Sequence, residues 1–510
     1  MNTNKQLAIN MFARIIAFAA GIGTSFFLTP YIIKNVGKEA YGFVGLANNF
    51  ISYIGIITAA LNSMASCFIT NKIHQEDYRG ANGYITSVFF ANVIMAIPVT
   101  VLGTIIIVYI DKIVNISPEF LPDIRVLWSL LFANFIIELI TNVFGVATYA
   151  KNRLDLSSFA NMGANLLKVV ILILSFICFE PHVWYLGLST LVCSLFCIFC
   201  NINYTKKLLP FTEIKKKYID LHKIMKLISS GIWNSIGKIS SILTDGLDLL
   251  IINLFVGAAA MGTVSIAKTV PTLILSFFGM LAGIFMPQLN ISYAKNNFTD
   301  MRNQLLFSIK MLGMISSIPI ACLYAYGDIF FSLWVPGENS ILLQKLAILS
   351  AAEFPFILML EPIWNVFTVM NKIKYSTLFL ISNSIASTII TFILLFFVDD
   401  ITVKMYIVVG VSSLVAIVRA WTFIPIYTSR CTKIKVWEFY RAIIKNVIVL
   451  IFGTFISILA RFVFKTDSWI KLIIICCLTA TVMLVINYIV ILNRNEKNMF
   501  INKIRRGVKK

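Results

Sequence analysis

The chain has 510 residues, 59% of them hydrophobic and 13% charged, with a mean hydropathy of +0.86. These proportions exclude a water-soluble globular protein, because apolar runs of about 20 residues, each able to cross about 30 Å of hydrocarbon, consume nearly the whole length. The formal net charge of +20 is scattered over short loops, which excludes a nucleic-acid patch and fits the gathering of Lys and Arg at the cytoplasmic face of a bilayer.

The first stretch, MNTNKQLAINMFARIIAFAAGIG, puts a basic residue before an apolar run, as a signal peptide does. Arg14 interrupts the run and no small-residue cleavage site follows, so the stretch reads as a retained first span. Hydropathy then predicts fourteen spans, at about 7–33, 41–69, 83–110, 125–149, 156–179, 183–203, 227–255, 261–291, 304–334, 341–370, 375–398, 403–428, 442–464 and 470–492. The fold class expected is an all-α polytopic membrane protein of about fourteen transmembrane helices.

Loop charge tests the number of spans. If the N-terminus is cytoplasmic, one set of alternate loops collects roughly 28 basic residues and the other about eight. The first set includes Lys72, Arg79, Lys151, Arg153, Lys215–Lys217 and Arg430, and the second carries Asp111, Glu119, Asp123, Asp399 and Asp400. Both termini are therefore expected to be cytoplasmic.

An internal repeat divides the chain. Val36, Gly37, Ala40, Gly42, Val44 and Ala47 recur 220 residues later as Val256, Gly257, Ala260, Gly262, Val264 and Ala267. Six spans precede the basic connector YTKKLLPFTEIKKKYIDLHK and six follow it, so the halves run parallel about an axis along the membrane normal. The expected organisation is an N-terminal six-helix lobe at 1–203, a connector at 204–226 and a second lobe at 227–428. An added helix pair at 429–493 and a basic cytoplasmic tail at 494–510 complete it. The connector is polybasic enough to rest on anionic headgroups, although a linker needs no further role. Interior prolines, Pro98, Pro271, Pro287, Pro319, Pro355 and Pro362, supply kinks that a rocking protein could use.

The stretch 231–268, GIWNSIGKISSILTDGLDLLIINLFVGAAAMGTVSIAK, is apolar yet charged. At about 100° per residue, Asn234, Lys238, Ser241 and Asp245 share one helical stripe, with Asp248 about 60° to the side. A charge at mid-bilayer costs about 2.5–3.5 kcal/mol, so such a stripe requires a partner or a wet cavity. Arg14, Lys238 and Lys268, on helices that would face one another between the lobes, form a candidate cationic cavity for an anionic substrate, best a diphosphate. The bland alternative is internal neutralisation, Lys238 by Asp245. Asp245, Asp248, Glu138 and Glu361 are candidates for proton or sodium coupling. Lys310 and Arg461 read as residues snorkelling to an interface.

Other chemistry is missing from the pattern. Nine cysteines sit mostly in apolar runs, and Cys193, Cys197 and Cys200 lack nearby co-ligands, so they read as small buried residues rather than a metal site. His74, His182 and His222 lie in separate loops, and no P-loop, nucleophile elbow or HExxH occurs. With polar gaps of at most about 20 residues, no catalytic domain, resident cofactor or metal is expected.

Residues 26–70, FFLTPYIIKNVGKEAYGFVGLANNFISYIGIITAALNSMASCFIT, resemble the Wzx-type flippases of the multidrug/oligosaccharidyl-lipid/polysaccharide exporter superfamily. The resemblance implies two six-helix lobes in alternating access. It also implies an undecaprenyl-diphosphate-linked oligosaccharide substrate, for O-antigen or capsular polysaccharide, and an inner-membrane location among membrane lipids. A polysaccharide polymerase and other assembly proteins become expected partners. The same fold serves lipid II flippases, whose added helix pair forms a groove for the lipid tail, and multidrug antiporters, which would prefer an acidic cavity. At Cys67 relatives often carry Arg, so one cationic contact is absent or supplied elsewhere.

Overall fold

The computed structural model describes residues 3–491 apart from 287–288, 290–291, 294–296, 371 and 465. The expected tail at 494–510 and Pro287 lie outside these. Among the described residues the regular structure is helical throughout, without a strand. The longer helices are α1 (Thr3–His74), α2 (Tyr78–Val108), α3 (Leu121–Thr141), α4 (Leu154–Cys178), α5 (Tyr185–Leu208), α6 (Leu221–Ser241) and α7 (Asp248–Phe255). They continue as α8 (Ala258–Gly283), α9 (Phe298–Trp334), α10 (Ser340–Ser350), α11 (Pro362–Val369) and α12 (Ile373–Phe396). The last are α13 (Ile401–Trp421), α14 (Phe423–Thr432), α15 (Val436–Val463) and α16 (Trp469–Val490).

Twelve helical segments among the described residues are long and apolar enough to cross a membrane. The first, Phe12–His74, is two helices joined at Gly37, whose φ of 82° leaves the helical region. The expected seventh span is divided between α6 and α7 by a π turn, Ile242–Gly246. Those two features reconcile the twelve segments with the fourteen spans read from hydropathy.

The chain forms two compact units, Met1–Ser265 and Ile266–Lys510. In the first unit, Leu61, Ile69 and Ile73 of α1 pack with Tyr84, Ile85 and Val88 of α2, and with Val143, Leu209 and Leu227. Repeat-related positions meet directly here. Gly257, like Gly37, has a positive φ, and a Cβ on Gly42 would lie 3.0 Å from the Gly262 Cα. A Cβ on Gly262 would lie 2.3 Å from the Lys38 carbonyl oxygen, closer than atoms can approach. Gly262→Ala is expected to lower thermal stability by about 1–3 kcal/mol through this overlap, read as a fall in Tm.

In the second unit, α9 is the central element, packed by α10, α15 and α16. Ala325 and Tyr326 of α9 lie against Leu472 and Ile475 of α16. The Tyr326 hydroxyl donates to the Ser457 carbonyl at 2.8 Å. Asn487 donates to the Met314 carbonyl and to Ser317, both at 2.9 Å. The guanidinium of Arg461 forks onto Asp328 at 2.8 and 2.6 Å and also reaches the Ala325 carbonyl. A carboxylate 133 positions away in sequence thus supplies two charge-assisted bonds to the cation. Asp328→Asn is expected to cost about 1.5–3 kcal/mol, measured as a lower unfolding temperature, with α15 the first helix to gain hydrogen exchange.

Candidate functional site

The sequence stripe on α6 becomes a seam along the second half of α1. Gly231 permits the closest approach, since a Cβ there would sit 1.9 Å from the Ala60 carbonyl oxygen. One turn on, Asn234 directs its amide toward the Met64 sulfur at 3.9 Å. Another turn places the Lys238 ammonium over Gly55: a Cβ on that glycine would be 2.8 Å from Nζ, with the Phe135 ring beside it at 3.8 Å. The missing side chain on α1 is what makes room for the cation.

Among the described residues Lys238 forms neither an ion pair nor a side-chain hydrogen bond, and its backbone carbonyl accepts from Ser241 at 2.9 Å. An ammonium held among apolar helices without a counter-charge is costly. Neutralisation within this seam therefore finds no support among the described side chains. The side chain of Asp245 lies outside them.

The π turn follows at once. It takes one residue more per hydrogen-bonded turn than an α-helix, so carbonyls near its end lose their regular donors. The Tyr53 hydroxyl of α1 donates to one of these, the Gly246 carbonyl. Asp248, at the first position of α7, is buried with 5% exposure and has partners of its own. Beyond α7, Asn253 and Asn115 bond reciprocally: the Asn115 N–H and side-chain amide reach Asn253 at 2.7 and 3.0 Å, and the Asn253 amide reaches the Asn115 carbonyl at 3.0 Å. Ser117 donates to Glu39 at 2.6 Å.

Arg14 is exposed on the first half of α1 and has no hydrogen-bond or ion-pair partner among the described residues. One turn before it, Asn10 is buried and donates to the Asn152 carbonyl and side-chain oxygen at 2.9 Å. Gln6 reaches both Asn10 and Asp155 at 3.0 Å, while Arg153 clasps Asp155. This network fixes the helix that displays Arg14. Sequence reasoning missed it, although Gln6 and Asn10 share one polar stripe four residues apart.

The remaining candidates are dispersed. Glu138 of α3 is exposed and accepts from the Ser194 hydroxyl on α5. Lys268 lies in the second unit with a partner of its own, and its carbonyl accepts from Thr272 at 2.8 Å. Glu361, also in the second unit, stands at the break before Pro362, within electrostatic reach of Arg419. The Arg419 Nε is buried without a hydrogen-bond partner among the described residues. Cys67 is exposed and accepts from the Asn71 amide within α1 at 3.9 Å. No group of His, Cys, Asp and Glu among the described residues is arranged to hold a metal ion. Cys193 donates to the Ala164 carbonyl at 3.0 Å, as a buried structural thiol does.

Known proteins resemble this chain in sequence and fold. The family described as "Polysaccharide biosynthesis protein" matches residues 7–292. The chain is 25% identical over 503 residues to an uncharacterized membrane protein, EpsK, of Bacillus subtilis strain 168, covering 98% of each. The inward closed structure of the lipid II flippase MurJ superposes with a TM-score of 0.67 at 13% identity, over 95% of this chain and 99% of that one. An inward-facing multidrug resistance MATE transporter of the MOP superfamily gives 0.63 at 15% identity, over 84% of this chain and 98% of that one. The fold is that of these transporters.

Proposed function

Because the chain belongs to the polysaccharide biosynthesis protein family, we propose that it is a flippase for undecaprenyl-diphosphate-linked oligosaccharide units. It moves them from the cytoplasmic to the outer leaflet of the inner membrane, for O-antigen or capsular polysaccharide. Both termini are cytoplasmic, and the lobes 1–203 and 227–428 alternate access, with 429–493 as an added helix pair. A polysaccharide polymerase is the natural recipient of the product.

The observation that carries this reading is Lys238, a cation without a counter-charge among the described residues, seated on the bare backbone at Gly55. A diphosphate supplies the charge this residue lacks, and an exposed Arg14 supplies forked donors for the same group. Lys268 is proposed as a third contact. No catalytic role is assigned to any residue, since flipping breaks no bond. A proton or sodium gradient supplies the work, through Asp245, Asp248, Glu138 or Glu361; Asp248→Asn is expected to abolish gradient dependence in proteoliposomes.

A lipid II flippase is the second reading. The lipid II flippase structure aligns with 95% of this chain and the multidrug transporter with 84%. Mass spectrometry of lipids from a deletion strain separates the two. A viable strain accumulating a lipid-linked oligosaccharide supports the first reading, and lysis with accumulated lipid II supports the second. A multidrug antiporter is disfavoured by Lys238 on α6, a cation that has no counter-charge among the described residues.

A further inference from the structure

The connector between α5 and α6 is no slack tether. Asn82 of α2 donates to the Phe211 carbonyl at 2.9 Å and accepts from the Glu213 N–H at 3.2 Å. Thr86 donates to the Glu213 carbonyl at 3.2 Å, and Ser87 accepts from the Asp220 N–H at 2.9 Å. Asn82, Thr86 and Ser87 are all buried beneath it. The Phe211 ring lies 4.3 Å from Tyr78, and Leu209 joins the core of the first unit. A segment bound this closely has already lost its conformational entropy, so whatever it displays is presented at little further cost.

It displays cations beside bare apolar side chains. Residues 204–226 hold seven lysines against two carboxylates, Glu213 and Asp220. Lys223 is turned inward, paired with Asp220 at 2.9 Å and lying over the Tyr84 ring. Lys215 pairs with Glu213 at 2.8 Å. Lys216, Lys217 and Lys226 remain exposed. Next to them Leu221 and Met225, four residues apart on one face of α6, are 74% and 63% exposed. An apolar pair flanked by lysines, in the first turns of an amphipathic helix, is the composition of an interfacial membrane-binding segment.

We propose that residues 215–226 bind anionic phospholipid headgroups, with Lys216, Lys217 and Lys226 at the phosphates and Leu221 and Met225 in the acyl boundary. The partner is the lipid surface itself, so the inference holds whichever substrate is flipped. Its framework persists at neutral pH: Lys223, with backbone N–H groups, holds the Asp220 carboxyl below its ordinary range. That contribution is complete above the ordinary carboxylate pKa and is lost only as pH falls through the lowered value.

The test uses the full chain in proteoliposomes. An environment-sensitive dye is placed at Met225→Cys, with the exposed Cys67, Cys178 and Cys477 changed to Ser. Brominated phosphatidylglycerol and brominated phosphatidylcholine then compete to quench it. Each lysine near an anionic surface enriches that lipid about fivefold. Stronger quenching by phosphatidylglycerol is expected, and it should collapse to the phosphatidylcholine level in K216Q/K217Q/K226Q or in high salt. Equal quenching by the two lipids overturns the proposal. So does a dye that neither lipid quenches, because residue 225 would then stand clear of the acyl boundary.

Discussion

Gly231→Leu is expected to abolish stable assembly of the first compact unit. A single Cβ at this position would already lie 1.9 Å from the Ala60 carbonyl oxygen. That atom is backbone, inside a helix, and cannot move aside as a side-chain tip can. Overpacking of this kind costs about 1–3 kcal/mol when neighbours can adjust, and here a whole side chain must be accommodated. Tryptophan fluorescence during heating in detergent should show a Tm lowered by many degrees, or protein lost to aggregation. Gly23→Ala is the control: a Cβ there meets nothing within 4 Å, so its stability should hold or rise slightly. An unchanged Tm for Gly231→Leu would mean that α6 does not rest on α1.

The second large effect concerns transport. Lys238→Ala is expected to reduce polysaccharide export tenfold or more while leaving insertion and Tm intact. A hydrogen bond to a charged group contributes about 1.5–3 kcal/mol, and nothing structural is lost because the ammonium has no partner among the described residues. Gly55→Val should act in the same direction with Lys238 still present, because its side chain takes the place of the ammonium. Arg14→Ala should behave as Lys238→Ala does. Surface polysaccharide in a complemented deletion strain is the readout. Undiminished export in both single variants would remove the pair from the substrate path.

Much of this geometry was legible beforehand because it follows from local pattern. Helical periodicity put Asn234 and Lys238 on one face, and that face proved to line α1. The repeat paired Gly37 with Gly257, and both adopt the positive φ that only glycine takes without strain. Contacts between distant segments were not legible. Arg461 looked like a snorkelling residue because Asp328 is 133 positions away, and the polar network of Gln6, Asn10 and Asp155 has the same character. The π turn left no mark in composition, since it differs from an α-helix by one residue per turn. In residues 204–226 the sequence showed a polybasic linker able to rest on headgroups, but not its anchorage. What pins it are Asn82, Thr86 and Ser87, ordinary polar residues at the start of another span.

The boundary of the first compact unit sets an order of events during synthesis. That unit closes only at Ser265, because α6 and α7 pack against α1. The ribosome must therefore translate past the connector before α1 finds its permanent neighbour. At about 5–20 residues per second, residues 221–265 take roughly 2–9 s to emerge. Throughout that interval Gly55 and Ala60 face lipid or the insertion machinery, with the groove for α6 unfilled. A pause in translation before α6 has emerged should therefore expose the nascent chain to membrane proteases, and a pause once Ser265 has left the ribosome should not.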